Sequence, residues 1–157
     1  MHMHKNGRWL TLAAGLALCA CSKSDTFVAS LSGANESPPV STPATGTATL
    51  TFDGSTMNYT INASGLTSNA NGAHLHVTPP DPGPIVVGFN AFPSSTTPSA
   101  TDSFTVADIR NPTNPALATP IATVEELVEA IRAGKVYVNI HTENHAAGEI
   151  RGQLAAQ

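Results

Sequence analysis

Apolar and polar residues alternate along much of this chain with a period of two, the spacing of strands that bury one face and wet the other. Ala48, Leu50 and Phe52 alternate with Thr47, Thr49 and Thr51, and Met57, Tyr59 and Ile61 alternate with Asn58, Thr60 and Asn62. Asp53-Gly54 stands between the two runs, a dipeptide that favours a tight hairpin turn. Further runs rich in threonine, valine and isoleucine predict strands over 26–31, 73–78, 84–90, 102–107, 135–141 and 149–154. Two stretches carry no period, 91–101 and the proline-bearing 110–120, and both read as loops. Residues 123–133 follow a different rule. Val124, Leu127, Val128 and Ile131 form one apolar stripe at helical spacing, Thr123 and Glu126 make a capping box, and Gly134 supplies a left-handed stop. Such a helix covers an end or edge of a sheet and needs no chemistry of its own. These elements predict an all-β domain, an antiparallel β-sandwich or Greek-key barrel with one short helix near 123–133.

The first twenty residues follow a third pattern. Lys5 and Arg8 precede an apolar run, and Leu18-Cys19-Ala20-Cys21 resembles a bacterial lipobox, with Cys21 as the lipidation site because the small Ala20 precedes it. The alternative is a plain secretory signal with two incidental cysteines. The run from Trp9 to Ala20 is 12 residues, short of the roughly 20 that a spanning helix needs. The expected organisation is a lipoprotein signal peptide over 1–20, a lipidated tether over 21–26 and a β domain over 27–157. The expected setting is the bacterial cell envelope, with the membrane reached through the lipid on Cys21. Lys23, rather than an aspartate, follows that cysteine at the second position and favours the outer membrane. His2 and His4 leave with the signal, and no cysteine beyond Cys21 remains to form an internal disulfide.

Composition narrows the function classes. Of 157 residues only 11% are charged and the net charge is −4, which excludes a disordered acidic tail and disfavours nucleic acid as a partner. There is no Gly-x-Ser-x-Gly elbow, no His-Glu-x-x-His and no phosphate-binding loop.

The histidines carry what chemistry there is. His74 and His76 are spaced i, i+2, so on a strand they share a face while Leu75 and Val77 take the core side. In 135–141 the valines and Ile140 go inward and Tyr137, Asn139 and His141 outward. If 135–141 pairs with 149–154, the simplest register sets His141 opposite Glu149, Asn139 opposite Arg151 and Tyr137 opposite Gln153. His74, His76 and His141, with His145 as a fourth ligand, would then form a cluster suited to copper or zinc, with Glu149 and Arg151 behind it. The same histidines could instead serve as exposed or hydrogen-bonded strand residues that tie loops together, and the residues alone leave both readings open.

With these segments in view the chain resembles the chordin-type, or CHRD, domain family. The matching segments are Leu31 to Val40, Gly72-Ala73-His74-Leu75-His76, and Val136 to Thr142 running on to Gly148-Glu149-Ile150-Arg151-Gly152-Gln153-Leu154. The family usually has a proline in the loop before Gly148, where this chain has 144–147 without one, so His145 falls outside the family pattern. The resemblance implies a secreted or surface β domain and a non-enzymatic binding or structural module, with an unknown envelope or extracellular partner. The His-x-His segment is also similar, over three residues, to a copper-ligand segment of copper/zinc superoxide dismutase. The second expectation is therefore an envelope copper- or zinc-binding protein, with a dismutase-like activity as its furthest form.

Overall fold

The computed structural model describes residues 25–110 and 120–157. The expected signal peptide, Cys21 with most of its tether, and the greater part of the 110–120 loop lie outside the described residues.

The alternating runs form the strands they predict. They are β1 (Asp25–Ser32), β2 (Thr45–Phe52), β3 (Met57–Ser64), β4 (Ala70–Val77), β5 (Ile85–Gly88), β6 (Ser99–Phe104), β7 (Val136–Thr142), β8 (Ile150–Gln153) and the short β9 (Ala155–Ala156). The Asp53-Gly54 turn joins β2 to β3 in a continuous register from Thr45↔Ser64 to Phe52↔Met57. Asp53 caps that turn with its own carboxylate, which accepts from the N–H groups of Ser55 and Thr56. The strand expected over 102–107 lies earlier, since Thr105 caps a short turn of helix at Val106–Asp108. Residues 99–101 fall in the stretch that reads as a loop, yet Ser99 begins β6, because pairing with β3 from Asn62↔Ser99 to Met57↔Phe104 supplies the order that an apolar period does not.

All pairs are antiparallel and the strands make one nine-stranded sheet in the order β5-β4-β7-β8-β1-β2-β3-β6, with β9 beside β1. The fold class is all-β, as expected, and the sheet curls into a half-barrel. Aromatic contacts show how its ends meet. Phe89, just past β5, packs against Tyr59 of β3 at 4.6 Å between ring centroids, and both pack against Phe104 of β6. The concave side holds the core, where Phe27, Leu31, Leu50, Met57, Ile61, Leu75, Ile140 and Ile150 are fully buried. The opposite faces of β2, β3 and β6 carry a grid of uncharged groups, with Thr47, Thr49 and Thr51 opposite Asn62, Thr60 and Asn58, and these opposite Ser99, Thr101 and Ser103. Hydroxyls and amides wet this surface, which is how the domain manages with so few charges.

The helix α1 (Val124–Arg132) has the cap its sequence predicts. The Thr123 hydroxyl accepts from the Glu126 N–H at 3.1 Å and the Glu126 carboxylate accepts from the Thr123 N–H at 3.1 Å. Val124, Leu127, Val128 and Ile131 are buried and pack toward β7 and β9, while Arg132 pairs with Asp25 of β1 and with Glu129. Thr123→Ala is expected to cost about 1 kcal/mol through loss of the cap, and Leu127→Ala about 2–5 kcal/mol through loss of burial and the cavity left behind. Urea unfolding of the two variants checks this. Equal and negligible losses would mean that the helix is not docked.

Candidate metal centre

Three of the four candidate histidines meet on the convex side of the sheet. Both neighbours of β4 take part in placing them. His74 pairs with Asn139 of β7 on one side and Gly88 of β5 on the other, while His76 pairs with Tyr137 and Ile85. His141 lies opposite Gly72, next to a register shift between Ala70 and Gly72. Gly72 offers no side chain, so the His74 ring leans across it; a Cβ there would meet His74 Cε1 at 3.4 Å. The ring centroids of His74 and His141 are 4.8 Å apart, with His76 at 5.7 and 5.8 Å from them. One nitrogen from each of the three rings lies within 4.8 Å of those of the other two. A tetrahedral metal with ordinary metal–imidazole bonds needs nitrogens about 3.3 Å apart, so the rings would have to close in on a bound ion.

The tautomers follow from the backbone. His76 Nδ1 donates to the Gly83 carbonyl at 2.7 Å, and His141 Nδ1 donates to the Ala146 carbonyl at 3.0 Å. The proton of each neutral ring is thereby committed to Nδ1, and Nε2 keeps a bare lone pair. His76 Nε2, His141 Nε2 and His74 Nδ1 are all buried without a hydrogen-bond partner among the described residues. Buried polar atoms are rarely left so. Burial pushes the His74 ring down to about 4, helped by the neighbouring His141 and His76 rings and Arg110. Burial also lowers His76 and His141, against the raising effect of their hydrogen bonds to Gly83 and Ala146. All three rings are held neutral, the form that binds metal.

A wall of packed groups backs the cluster. The Tyr137 ring stacks on His76 at 5.0 Å and 10°, and the Arg151 guanidinium lies over the other side of Tyr137 at 4.8 Å. Arg151 forks onto Asp81 with bonds of 2.6 and 3.0 Å. Asp81 belongs to the loop 78–84, and that loop brings Gly83 to His76. The Tyr137 hydroxyl accepts from the Gly83 N–H at 3.1 Å. Gly83 runs so close to β4 that a Cβ would meet the Val77 carbonyl at 2.0 Å, so no larger residue could deliver its carbonyl here.

Three sequence expectations about this region are corrected. His145 is not in the cluster. It lies at the corner of the turn after β7, where its N–H and carbonyl bond to Thr142, and it is Ala146 of that turn that reaches His141. Glu149 does not face His141. Its N–H bonds to the Ile140 carbonyl although Ile150 is the Cα partner of Ile140, so two residues of the return strand oppose one and the alternation slips. Glu149 therefore turns to the side of Thr142 and is fully buried. Arg151 does lie opposite Asn139, and Tyr137 opposite Gln153, as the simplest register requires. Arg151 reaches the cluster only through the Tyr137 ring. Tyr137 and Asn139, expected on a wet face, are 3% and 2% exposed, because the 78–84 loop, Arg151 and the turn at Gly148 cover that face.

A family model described as the CHRD domain matches residues 27–154. The chain belongs to the CHRD domain family. No curated protein and no solved structure matches it. The match runs from β1 to the end of β8, so the CHRD domain here includes all three clustered histidines and the loop that orients His76. Membership supports a binding or structural module. Sequence reasoning missed Tyr137, Asp81 and Gly83 as parts of the site. The run of prolines and glycine at 79–84 beside His76 is the signal that could have found the loop, since a rigid turn next to a histidine fixes a carbonyl within its reach.

Proposed function

We propose that this CHRD domain is a metal-binding module that holds one Cu(II) or Zn(II) ion on His74, His76 and His141, and that a lipid on Cys21 displays it in the bacterial cell envelope. The supporting observation is that three rings each bring a nitrogen within 4.8 Å of the others and each carries one buried, unpartnered nitrogen, with two of the rings oriented by a backbone carbonyl bonded to the opposite nitrogen. A histidine that merely tied loops together would satisfy both nitrogens or leave one in water. A carbonyl behind a ligating histidine is the usual outer support of such sites, fixing the tautomer and raising the basicity of the donor. Three imidazoles without thiolate suit copper and zinc, and copper binds tighter by the usual order of divalent metals.

The test is calorimetric titration of Cu(II) and of Zn(II) into the wild-type chain and into a His74→Ala/His76→Ala variant. Micromolar or tighter binding to wild type, lost in the variant, is the expected result. Protons compete for the same nitrogens, so affinity is expected to fall as the solution is acidified. Binding that is absent, or unchanged in the variant, would return the histidines to a purely structural role and leave the domain as a metal-free binding module.

A further inference from the structure

Three neutral imidazoles leave two things undone for a divalent ion. They compensate none of its charge, and they leave a tetrahedral or tetragonal coordination sphere at least one donor short. No carboxylate or thiolate joins the cluster among the described residues. The described residues offer no charged fourth donor, so an external ligand can take that position, and the charge around the site decides which ligands are favoured.

One cation stands beside the rings. Arg110 follows the short turn of helix at Val106–Asp108, whose N-terminus Thr105 and Asp108 cap reciprocally. Its own N–H bonds to the Val86 carbonyl at 2.7 Å, and Ile109 bridges to Val87, so the residue is fixed against the edge of β5. Its guanidinium and the His74 ring flank the same spot above Gly88, where a Cβ would meet Arg110 Nη2 at 3.2 Å and His74 Cδ2 at 3.6 Å. Gly88 leaves room for both. Arg110 is exposed and His74 only half-buried, so this side of the cluster is open to small solutes, whereas His76 is buried beneath Tyr137. The other nearby guanidinium, Arg151, is already committed to Asp81 and to the Tyr137 face.

We propose that the metal on His74, His76 and His141 keeps an exchangeable fourth position for a small inorganic anion, and that Arg110 is the counter-charge that draws the anion to it. The inference rests on the metal reading above. The incoming anion neutralises part of the ion's charge and faces a guanidinium whose backbone is anchored at the edge of β5, the one place among the described residues where a guanidinium flanks a ligand ring.

The test uses the Cu(II)-loaded full chain with azide as the probe, followed by the azide-to-copper charge-transfer absorption. Azide is expected to bind wild type, with a dissociation constant roughly five- to twentyfold weaker in Arg110→Gln, weaker still in Arg110→Glu, and largely restored in Arg110→Lys. Raised salt should narrow the gap between variants, because the interaction is exposed to screening. Neutral imidazole, added as a competing fourth ligand, should bind wild type and Arg110→Gln alike, which separates charge from access. If wild type takes up no copper, the metal reading falls and this inference falls with it. If copper binds but azide produces no band, or binds every Arg110 variant equally, the inference alone is overturned.

Discussion

Glu149→Ala is expected to destabilise this domain by about 3–5 kcal/mol, the loss that follows when a buried, fully hydrogen-bonded charge is removed and its partners stay behind. The carboxylate is 0% exposed. It accepts from the Thr42 hydroxyl at 2.7 Å, the Thr142 hydroxyl at 2.8 Å, and both the N–H and the hydroxyl of Thr67 at 2.9 Å. Those donors come from the segment before β2, the segment after β3 and the end of β7, so one side chain ties three parts of the chain together. No cation pairs with it among the described residues, and the four donors do that work instead. Glu149→Gln should cost less than Glu149→Ala, because its amide oxygen can keep the bonds from the Thr42 hydroxyl and the Thr67 N–H while its NH2 must turn the other two hydroxyls into acceptors.

The same carboxylate gives the acid limb of stability a direction. Burial pushes the Glu149 carboxyl up, but the hydrogen bonds from Thr42, Thr142 and Thr67 outweigh burial and hold it below the ordinary carboxylate value. The unfolded state therefore takes up this proton first. Its contribution is fully present above the ordinary value of 4.5 and is lost as pH falls through the lower folded value. Urea unfolding of wild type and Glu149→Gln across pH 3–7 measures it. Wild type should lose more stability than the variant as the solution is acidified, so that the two curves converge. Parallel curves would mean that the carboxylate is not ionised in the fold.

The contrast between Glu149 and the histidines shows what a local pattern contains. A period of two identifies β2 and β3 and their turn, because each strand buries one face against one core. The same logic places His74 with His76 on one face, and a helical period with a capping box finds α1. It finds only the second half of β6, because the outer residues Ser99, Thr101 and Ser103 are all hydroxyl-bearing and the order of its first half comes from its partner. It cannot bring His141 to His74, since that needs the β4–β7 pairing between segments far apart in the chain. The expected place of Glu149 opposite His141 fails for a narrower reason. One extra residue beside Ile140 reverses every face assignment before it, and no periodicity in the sequence marks where the extra residue falls. The covering of Tyr137 and Asn139 depends likewise on a loop that folds back over the strand and is held there by Arg151 and Asp81.

Gly152→Ala should produce the other large loss, about 2–4 kcal/mol, from forced overpacking rather than a missing contact. Gly152 pairs with Val138 of β7, and its other side faces the bend where β1 meets β8. A Cβ there would meet the Ser30 carbonyl oxygen at 2.2 Å, its carbon at 2.8 Å and Leu31 Cδ2 at 2.9 Å. The first two are backbone atoms and cannot rotate away. Ser30 is held from behind by the full-length pairing of β1 with β2, which runs from Asp25↔Phe52 to Ser32↔Thr45, so β8 must give way. Movement of β8 carries Arg151 off the Tyr137 ring and strains its fork onto Asp81, and through the 78–84 loop it disturbs the carbonyl that orients His76. The variant should therefore unfold at lower urea and, in the fraction still folded, bind Cu(II) more weakly than wild type. Gly54→Ala is the matched control. Nothing lies within 4 Å of a Cβ at Gly54, and that substitution should cost only the strain of a left-handed residue in an exposed turn and leave copper affinity unchanged. Equal losses from both substitutions would show that β8 and β1 can separate freely at this junction.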